Sequence, residues 1–513
     1  MSRVKASSAV LSLAALAVGC EPDVKAVTGG PEQGVTPEYE QAETAITVAH
    51  REPLVDVITI AFNDRTQDPS DPKTVYPSPE ERIIYRGESL MGWSTSSNDG
   101  ASFAYRGKVS PPTDWAVIWG DPSLTTAGSS SKVYLATLGV SNLTFPGMVT
   151  GSMHPYLDGF CVARSIDSGE NFNDVACFKN GRCADSGARC KGVQDCGSHE
   201  ACEGIFYDGT TLAANNSTVY FAAFNDETKQ FDVWHADTSG LDFERMEDVP
   251  FKGRIMTLHP RLRFFGPRLY LLGHDVYANV LATYLDPGSA TWSPSRRVAN
   301  IVNFAEPITL SDGRTIRTAN QFSFDIGLNP QTEANELRVA VTHKQAGTHK
   351  RYLQVYNCPW DLPPAQFDRD VTDCDAPDEW STVNAPGDQW SPLLKVAGSP
   401  PKWKLVWRSR GSDPDGNVIS HRQGDLFVLP NGDKILVGLQ LVEPQVPCNA
   451  QDLSNPNAPG YWGDYDDLTN LIAPLDFNTG SPRFVTAFTD NRSGCDFRTK
   501  WTADMHVGAA VIQ

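Results

Sequence analysis

Ser96-Ser97-Asn98-Asp99-Gly100-Ala101-Ser102-Phe103 and Ser165-Ile166-Asp167-Ser168-Gly169-Glu170-Asn171-Phe172 share one pattern, S-x-[DN]-x-G-x-x-F. Each reads as a tight turn between two strands. The Asp or Asn side chain accepts bonds from turn N–H groups. The glycine takes the left-handed backbone position, and the aromatic ring tucks under the turn. Residues 236–243 are a degraded copy that keeps Gly240 and Phe243 but lacks the Ser and the Asp.

Two further repeats extend outward from these turns. Ile60-Ala61-Phe62-Asn63-Asp64, Ala222-Ala223-Phe224-Asn225-Asp226 and Thr486-Ala487-Phe488-Thr489-Asp490 are near copies, each a buried strand running into a polar turn. Val133-Tyr134-Leu135-Ala136, Val219-Tyr220-Phe221-Ala222 and Leu269-Tyr270-Leu271-Leu272 form the second set. Their polar openings are Asp121-Pro122-Ser123, Asp208-Gly209-Thr210 and His259-Pro260-Arg261. Ser323-Phe324-Asp325 before Leu337 reads as a fourth member, and Asp425-Leu426-Phe427 before Ile435 as a fifth. A strand–turn–strand unit of this kind cannot bury its own faces and must stack on its neighbours. The openings place units at 53–105, 121–173, 208–245, 259–298, 323–357, 389–440 and 464–510. The expected fold is therefore all-β: a single β-propeller of four-stranded blades. Seven blades follow from this count, and six if the blurred 389–440 region is not one. The alternating apolar stretch 505–512 is placed to pair with an N-terminal strand, which would remove exposed sheet edges.

The S-x-[DN]-x-G-x-x-F turn resembles the Asp-box, or BNR repeat, of sialidases and related β-propellers. The resemblance spans about residues 50–513 and implies a structural role for Ser96, Asn98, Gly100, Phe103, Ser165, Asp167, Gly169 and Phe172. Trp462-Gly463-Asp464-Tyr465 and Phe488-Thr489-Asp490-Asn491-Arg492 also resemble recurring strings of that superfamily. Sialidases grip a carboxylate with three arginines and use a Tyr–Glu nucleophile pair with an Asp acid/base. Arginine suits the grip because its planar fork binds a carboxylate bidentately. The family's Arg-Ile-Pro motif is not matched, because Arg82-Ile83-Ile84 lacks the proline. Arg261, Arg317 and Arg492 lie near expected strand ends, with Tyr461, Asp464 and Tyr465 as companions for a catalytic site. No spacing rule ties these six together, and surface or ion-pair arginines are the competing reading.

The chain's 513 residues carry a formal net charge of −19. That disfavours a nucleic-acid partner, which would demand a basic face, and a membrane surface held by Lys and Arg. Residues 1–20 read as a lipoprotein-type signal peptide. Arg3 and Lys5 precede the short apolar run Ala9 to Val18, and Cys20 stands at the position that is acylated in the lipobox it resembles. That family prefers Leu where Ala17 stands, so ordinary secretion is the alternative. Residues 21–45 read as a flexible tether and 46–513 as the propeller.

Without Cys20 ten cysteines remain, an even number that suits disulfides in an oxidising compartment. Cys161, Cys177, Cys183, Cys190, Cys196 and Cys202 crowd one stretch, and 174–204 reads as a disulfide-rich insertion of undetermined connectivity. Cys358 with Cys374 and Cys448 with Cys495 pair by proximity. Zinc is disfavoured because no C-x-x-C pair occurs.

No G-x-S-x-G elbow, H-E-x-x-H helix or P-loop is present. His343, His349 and His421 are candidates by default alone. The acidic turn Ser412-Asp413-Pro414-Asp415-Gly416-Asn417 has calcium-type oxygens but lacks the EF-hand spacing. No cofactor is expected. The expected protein is a tethered binding module for a glycan or an extracellular protein. It would sit in a bacterial cell envelope, periplasmic or surface-exposed, touching membrane through its lipid anchor only. The alternative is an exo-acting glycoside hydrolase resembling sialidases.

Overall fold

A computed structural model describes residues 24–27, 41–51, 55–64 and, with short interruptions, 83–300. Beyond these it describes mainly strands: 308–309, 315–316, 322–328, 334–344, 351–359, 381–383, 388–410, 419–428, 434–440, 467–470, 482–490 and 506–512. The chain is all-β. Among the described residues the one helical element is a 3-10 turn, Val193–Asp195.

Ten sheets occur among the described residues; three are small, and the other seven follow one another along the chain, each built mainly as an antiparallel meander. The first is Gln41–Arg51, Val55–Asp64, Met91–Ser96 and Ala104–Lys108. The second is Ser123–Thr126, Val133–Ser141, Gly159–Ser165 and Asp174–Lys179, extended by Trp115–Ile118. The third runs from Tyr207–Ala214 to Glu244–Arg245, and the fourth from Arg261–Phe265 to Arg296–Asn300. The fifth has three described strands, Phe322–Leu328, Asn335–Lys344 and Arg351–Pro359. The sixth runs from Gln389–Ala397 to Lys434–Gln440, where Ser381–Val383 adds in parallel. The seventh is Asp467–Asn470, Phe484–Asp490 and His506–Ile512, completed by Val24–Ala26 from the other end of the chain.

Both faces of each sheet are covered. Val133–Ser141 is buried along its whole length, as a short continuous apolar run between two layers should be. Seven apolar clusters lie between neighbouring sheets of the described structure. Tyr134 and Phe160 of the second sheet meet Phe221 and Trp234 of the third. Leu393 and Val406 of the sixth meet Leu468 and Phe484 of the seventh. Val485 and Val507 of the seventh meet Ile46 and Ile58 of the first. Phe160 stacks on Phe221 at 4.0 Å and is fully buried. Burial of one such ring contributes about 2–3 kcal/mol.

The two quoted turns have closely similar bonds. Ser96 Oγ accepts Gly100 N–H at 3.0 Å, and Ser165 Oγ accepts Gly169 N–H at 2.8 Å. Asn98 Oδ1 accepts Ser102 N–H, and Asp167 Oδ1 accepts Asn171 N–H, both at 3.0 Å. Gly169 has φ +89, and a Cβ there would stand 2.1 Å from Thr59 Oγ1 of the first sheet. Trp93 then reaches across, donating its indole N–H to Gly169 O at 3.1 Å and meeting Phe172 edge-on at 5.4 Å. The second turn thus ties the first sheet to the second as well as closing its own hairpin.

The first strand of each sheet is an edge, and its outer N–H groups have no further strand to pair with. Side chains from neighbouring first strands take that role. Ile46 N–H donates to Asp467 Oδ2 at 2.9 Å, Leu212 N–H to Ser123 Oγ at 2.8 Å and Leu262 N–H to Thr211 Oγ1 at 3.3 Å. Leu394 N–H donates to Ser323 Oγ at 3.0 Å and Val396 N–H to Asp325 Oδ2 at 2.8 Å. Thr126 Oγ1 donates to Val48 O at 3.0 Å.

Several expectations are corrected. The stretch 21–45 is not wholly a tether. Val24–Ala26 pairs with Gly508 to Ala510, and Val27 is buried against the first and seventh sheets. The pairing partner lies at the far end of the chain, so nothing local in the sequence marks it. The first unit begins at Gln41, not 53, because a whole strand precedes Val55. The supposed fifth opening, Asp425 to Phe427, lies in the third strand of its sheet, not the first. The disulfide-rich insertion begins after 179 rather than at 174, because Asp174–Lys179 is the fourth strand of the second sheet.

Cys161–Cys177 bridges two paired strands of the second sheet, and Cys183–Cys196 and Cys190–Cys202 staple the insertion. Cys358 is also disulfide-bonded. Cys20, Cys374, Cys448 and Cys495 lie outside the described residues.

Removing a hydroxyl that caps an edge N–H leaves a buried donor unsatisfied, at about 1–3 kcal/mol. Ser123→Ala and Ser323→Ala are each expected to destabilise by that amount in urea unfolding. A loss below about 0.5 kcal/mol in both would show that these N–H groups are satisfied otherwise.

Candidate functional site

The first strands of all seven sheets line one cavity of about 240 Å³. Its charged lining residues are Arg261, Arg263, Lys395 and Asp467, and Asp325 stands behind Arg263. Arg261 and Arg263 are two positions apart on one strand, so both lie on the same side of it. Leu262 between them is buried in the core shared by the third and fourth sheets.

Both carboxylates are already engaged by backbone. Asp467 accepts Ile46 N–H at 2.9 Å and Leu468 N–H at 2.8 Å. Asp325 accepts Ile326 N–H at 2.9 Å and Val396 N–H at 2.8 Å. Burial raises the pKa of Asp467 despite those bonds and despite the attraction of Arg261.

Arg263 Nη1 approaches Asp325 Oδ2 to 2.8 Å, yet that nitrogen is buried without an aligned hydrogen bond. Lys395 is half-buried and faces the cavity. Burial first, and then Arg263, hold its ammonium down to about 8. Lys404, its cross-strand neighbour, is committed to Asp425 at 2.5 Å. The cavity is thus lined by three cationic side chains and one carboxylate, Asp467, while Asp325 is ion-paired to Arg263.

Of the six residues proposed from sequence for catalysis, Arg261 lines this cavity. Arg317, Arg492, Tyr461, Asp464 and Tyr465 lie outside the described residues, as do His349 and the acidic turn at 412–417. His343 is a core residue. It stacks on Tyr352, and burial pulls its pKa to about 4. His421 is buried against Phe488 at 4.5 Å. Sequence reasoning missed Arg263 and Lys395. The signals were a charged alternation, Arg-x-Arg, opening a strand, and one lysine inside the apolar run Leu393-Leu394-Lys395-Val396.

A second polar cluster holds the insertion. Asp232 accepts Tyr207 Oη at 2.8 Å, Asn225 Nδ2 at 3.0 Å and Arg245 at 2.5 Å, and Arg189 of the insertion approaches to 3.3 Å. Burial would raise the pKa of Asp232, but Arg245 first and then Arg189 overcome it and hold the carboxyl low. This cluster docks the insertion on the third sheet. Cys183, Cys190 and Cys196 bring their sulfurs within 4.8 Å of one another. All three are in disulfides, so they are not free thiolates for a metal.

No family model matches the chain, and no curated protein matches it. Among solved structures, the NanB sialidase from Streptococcus pneumoniae is 10% identical with a TM-score of 0.38, covering 74% of this chain and 66% of that one. Trypanosoma rangeli sialidase is 10% identical with a TM-score of 0.35, covering 80% and 55%. A protein of unknown function from Dyadobacter fermentans is 8% identical with a TM-score of 0.39, covering 82% and 97%. At such scores the likenesses carry no argument about function.

The electrostatics are directly measurable. In 13C-lysine NMR the Lys395 side chain should titrate near pH 8. Arg263→Gln should move that midpoint upward, because a neighbouring positive charge is gone. A midpoint at 10.5, the ordinary lysine value, would mean that the amine is fully hydrated.

Proposed function

We propose that this chain is an exported, seven-bladed β-propeller whose axial cavity binds an anionic terminal group of a glycan or an extracellular protein. The seven sheets are its blades, and the meeting of seven first strands at one cavity supports that reading. The two quoted turns act as Asp-boxes, holding hairpins and not ligand. Export is supported by three disulfides, together with the leader ending at Cys20. In this proposal Cys20 carries the lipid, and Val24–Ala26 would leave only a short span between anchor and body.

The observation that carries the binding role is the charge balance of the cavity. Arg261, Arg263 and Lys395 converge there, and the two carboxylates are capped by backbone N–H groups. The volume suits a single acidic group, being below the roughly 300–1,000 Å³ of pockets for larger ligands. Binding is favoured over hydrolysis because no Tyr and no Glu line the cavity among the described residues. The two arginines favour the exo-acting glycoside hydrolase as second reading.

Calorimetric titration with acetate and with a sialic acid tests the site. Affinity should fall between pH 7 and pH 9, because Lys395 is cationic below about 8 and neutral above it. The Arg261→Gln/Arg263→Gln pair should lose about tenfold or more, since charge-assisted bonds to a carboxylate are among the strong ones. Unchanged affinity in that variant would overturn the reading. Release of fluorophore from an aryl sialoside, lost in the same variant, would establish the hydrolase instead.

A further inference from the structure

The N-terminal strand enters the fold at a defined end. In each of the seven sheets the first strand starts at the opening end. Antiparallel pairing then puts the connections from strand one to two, and from three to four, at the opposite end. Both S-x-[DN]-x-G-x-x-F turns join third strands to fourth strands, so that opposite end is the turn end. Neighbouring first strands run the same way. Asp121 and Ser123 meet Gly209 and Leu212 in step, and Ser323 and Asp325 meet Leu394 and Val396. Val24–Ala26 is the outer strand of the seventh sheet. Its register sets Val24 opposite Ala510 and Ala26 opposite Gly508, on a third strand that runs from His506 to Ile512. Followed backwards from Val24, the chain therefore heads for the turn end. Two contacts locate that end independently. Arg483, just before the second strand of the seventh sheet, reaches Asp99 of the first turn at 3.1 Å. A Cβ on Gly100 of the same turn would stand 2.7 Å from Val511.

We propose that the turn end of the molecule lies against a lipid bilayer and that the opening end faces away from it. This rests on the acylation of Cys20 proposed above and adds an orientation to it. Glu21, Pro22 and Asp23 alone separate Cys20 from Val24. Four Cα steps reach about 14 Å at most. Continued along the strand, that length carries the acyl group past the level of Ile512 and out at the turn end. Turned back, it would have to cover the roughly 13 Å from Ala510 to His506. It would then end level with the strand, short of any bilayer beyond the opening end. Ile166, Val55 and Leu328 are exposed apolar side chains at the turn end. Ile166 sits in the second turn, Val55 opens a second strand and Leu328 closes a first. Apolar tips of this kind suit the boundary between headgroups and acyl chains. The net charge of −19 supplies no attraction to anionic lipid, so the acyl group sets the contact. The opening end then presents the disulfide-stapled insertion, which follows the fourth strand of the second sheet and pairs Arg182 with Glu227. It also presents Tyr277, exposed on a turn where Asp275 accepts the Tyr277 and Asn279 N–H groups, both at 2.9 Å.

The test uses the full-length acylated protein in vesicles of phosphatidylethanolamine and phosphatidylglycerol that carry rhodamine on a fraction of their headgroups. A donor dye is attached at Pro267→Cys or at Tyr277→Cys, with the unsubstituted protein as background. Both positions are exposed turn residues of the fourth sheet, Pro267 at the turn end and Tyr277 at the opening end. They differ in end and not in sheet, so a sideways tilt does not mimic the result. The strand between them, Arg268–His274, has seven residues. That makes it about 23 Å long, and energy transfer to the headgroups should be at least about threefold faster from position 267. Equal transfer from the two positions, as for a molecule lying on its edge, would overturn the orientation, and so would faster transfer from 277. Cys20→Ser, which cannot be acylated, separates the two readings. It should leave the vesicles altogether. Its retention on them would overturn the anchor itself, whichever end faces the lipid.

Discussion

Seven strand edges meet where no further strand can pair with them, and the backbone N–H groups on those edges must still be satisfied. An unpaired buried N–H costs as much as a lost hydrogen bond. The solution repeats from sheet to sheet. A short polar side chain on one first strand accepts from the next: Ser123 from Leu212, Thr211 from Leu262, Ser323 from Leu394, Asp467 from Ile46. These bonds fix the distance between neighbouring first strands. The apolar clusters behind them then close-pack against an inner frame that is already set.

The same constraint decides the chemistry at the centre. Hydroxyls and carboxylates that serve the scaffold have their lone pairs spoken for. Cations offer nothing to an N–H, and Arg261, Arg263 and Lys395 line the cavity. A cavity built from inner edges thus becomes basic in a protein whose net charge is −19. The bulk charge of the chain says little about this site, because the acidic groups it counts are spread over the whole molecule.

Much of the fold was legible because its signals are local. A turn such as Ser165 to Phe172 is specified within eight residues, and its bonds follow the pattern of residue types. Strand strings such as Ala222 to Asp226 announce themselves by composition, and the alternation at 505–512 pointed to the pairing that His506–Ile512 makes with Val24–Ala26. Legibility failed where pairing joins distant segments. The partner strand at Val24–Ala26 is three residues inside a Gly- and Pro-rich stretch. The site was half legible. Arg261 stood at a recognisable opening, whereas Lys395 is visible only as a charge inside an apolar run. Its meaning depends on six other strands arriving at the same place.

The measurement that tests this account most directly is an anomalous-scattering map from crystals of the protein soaked in bromide. The account predicts a bromide peak inside the cavity, within contact distance of Lys395 and Arg263, that is lost in Arg263→Gln crystals. Bromide found on the outer surface, with the cavity vacant and seven first strands not converging on it, would contradict both the architecture and the site.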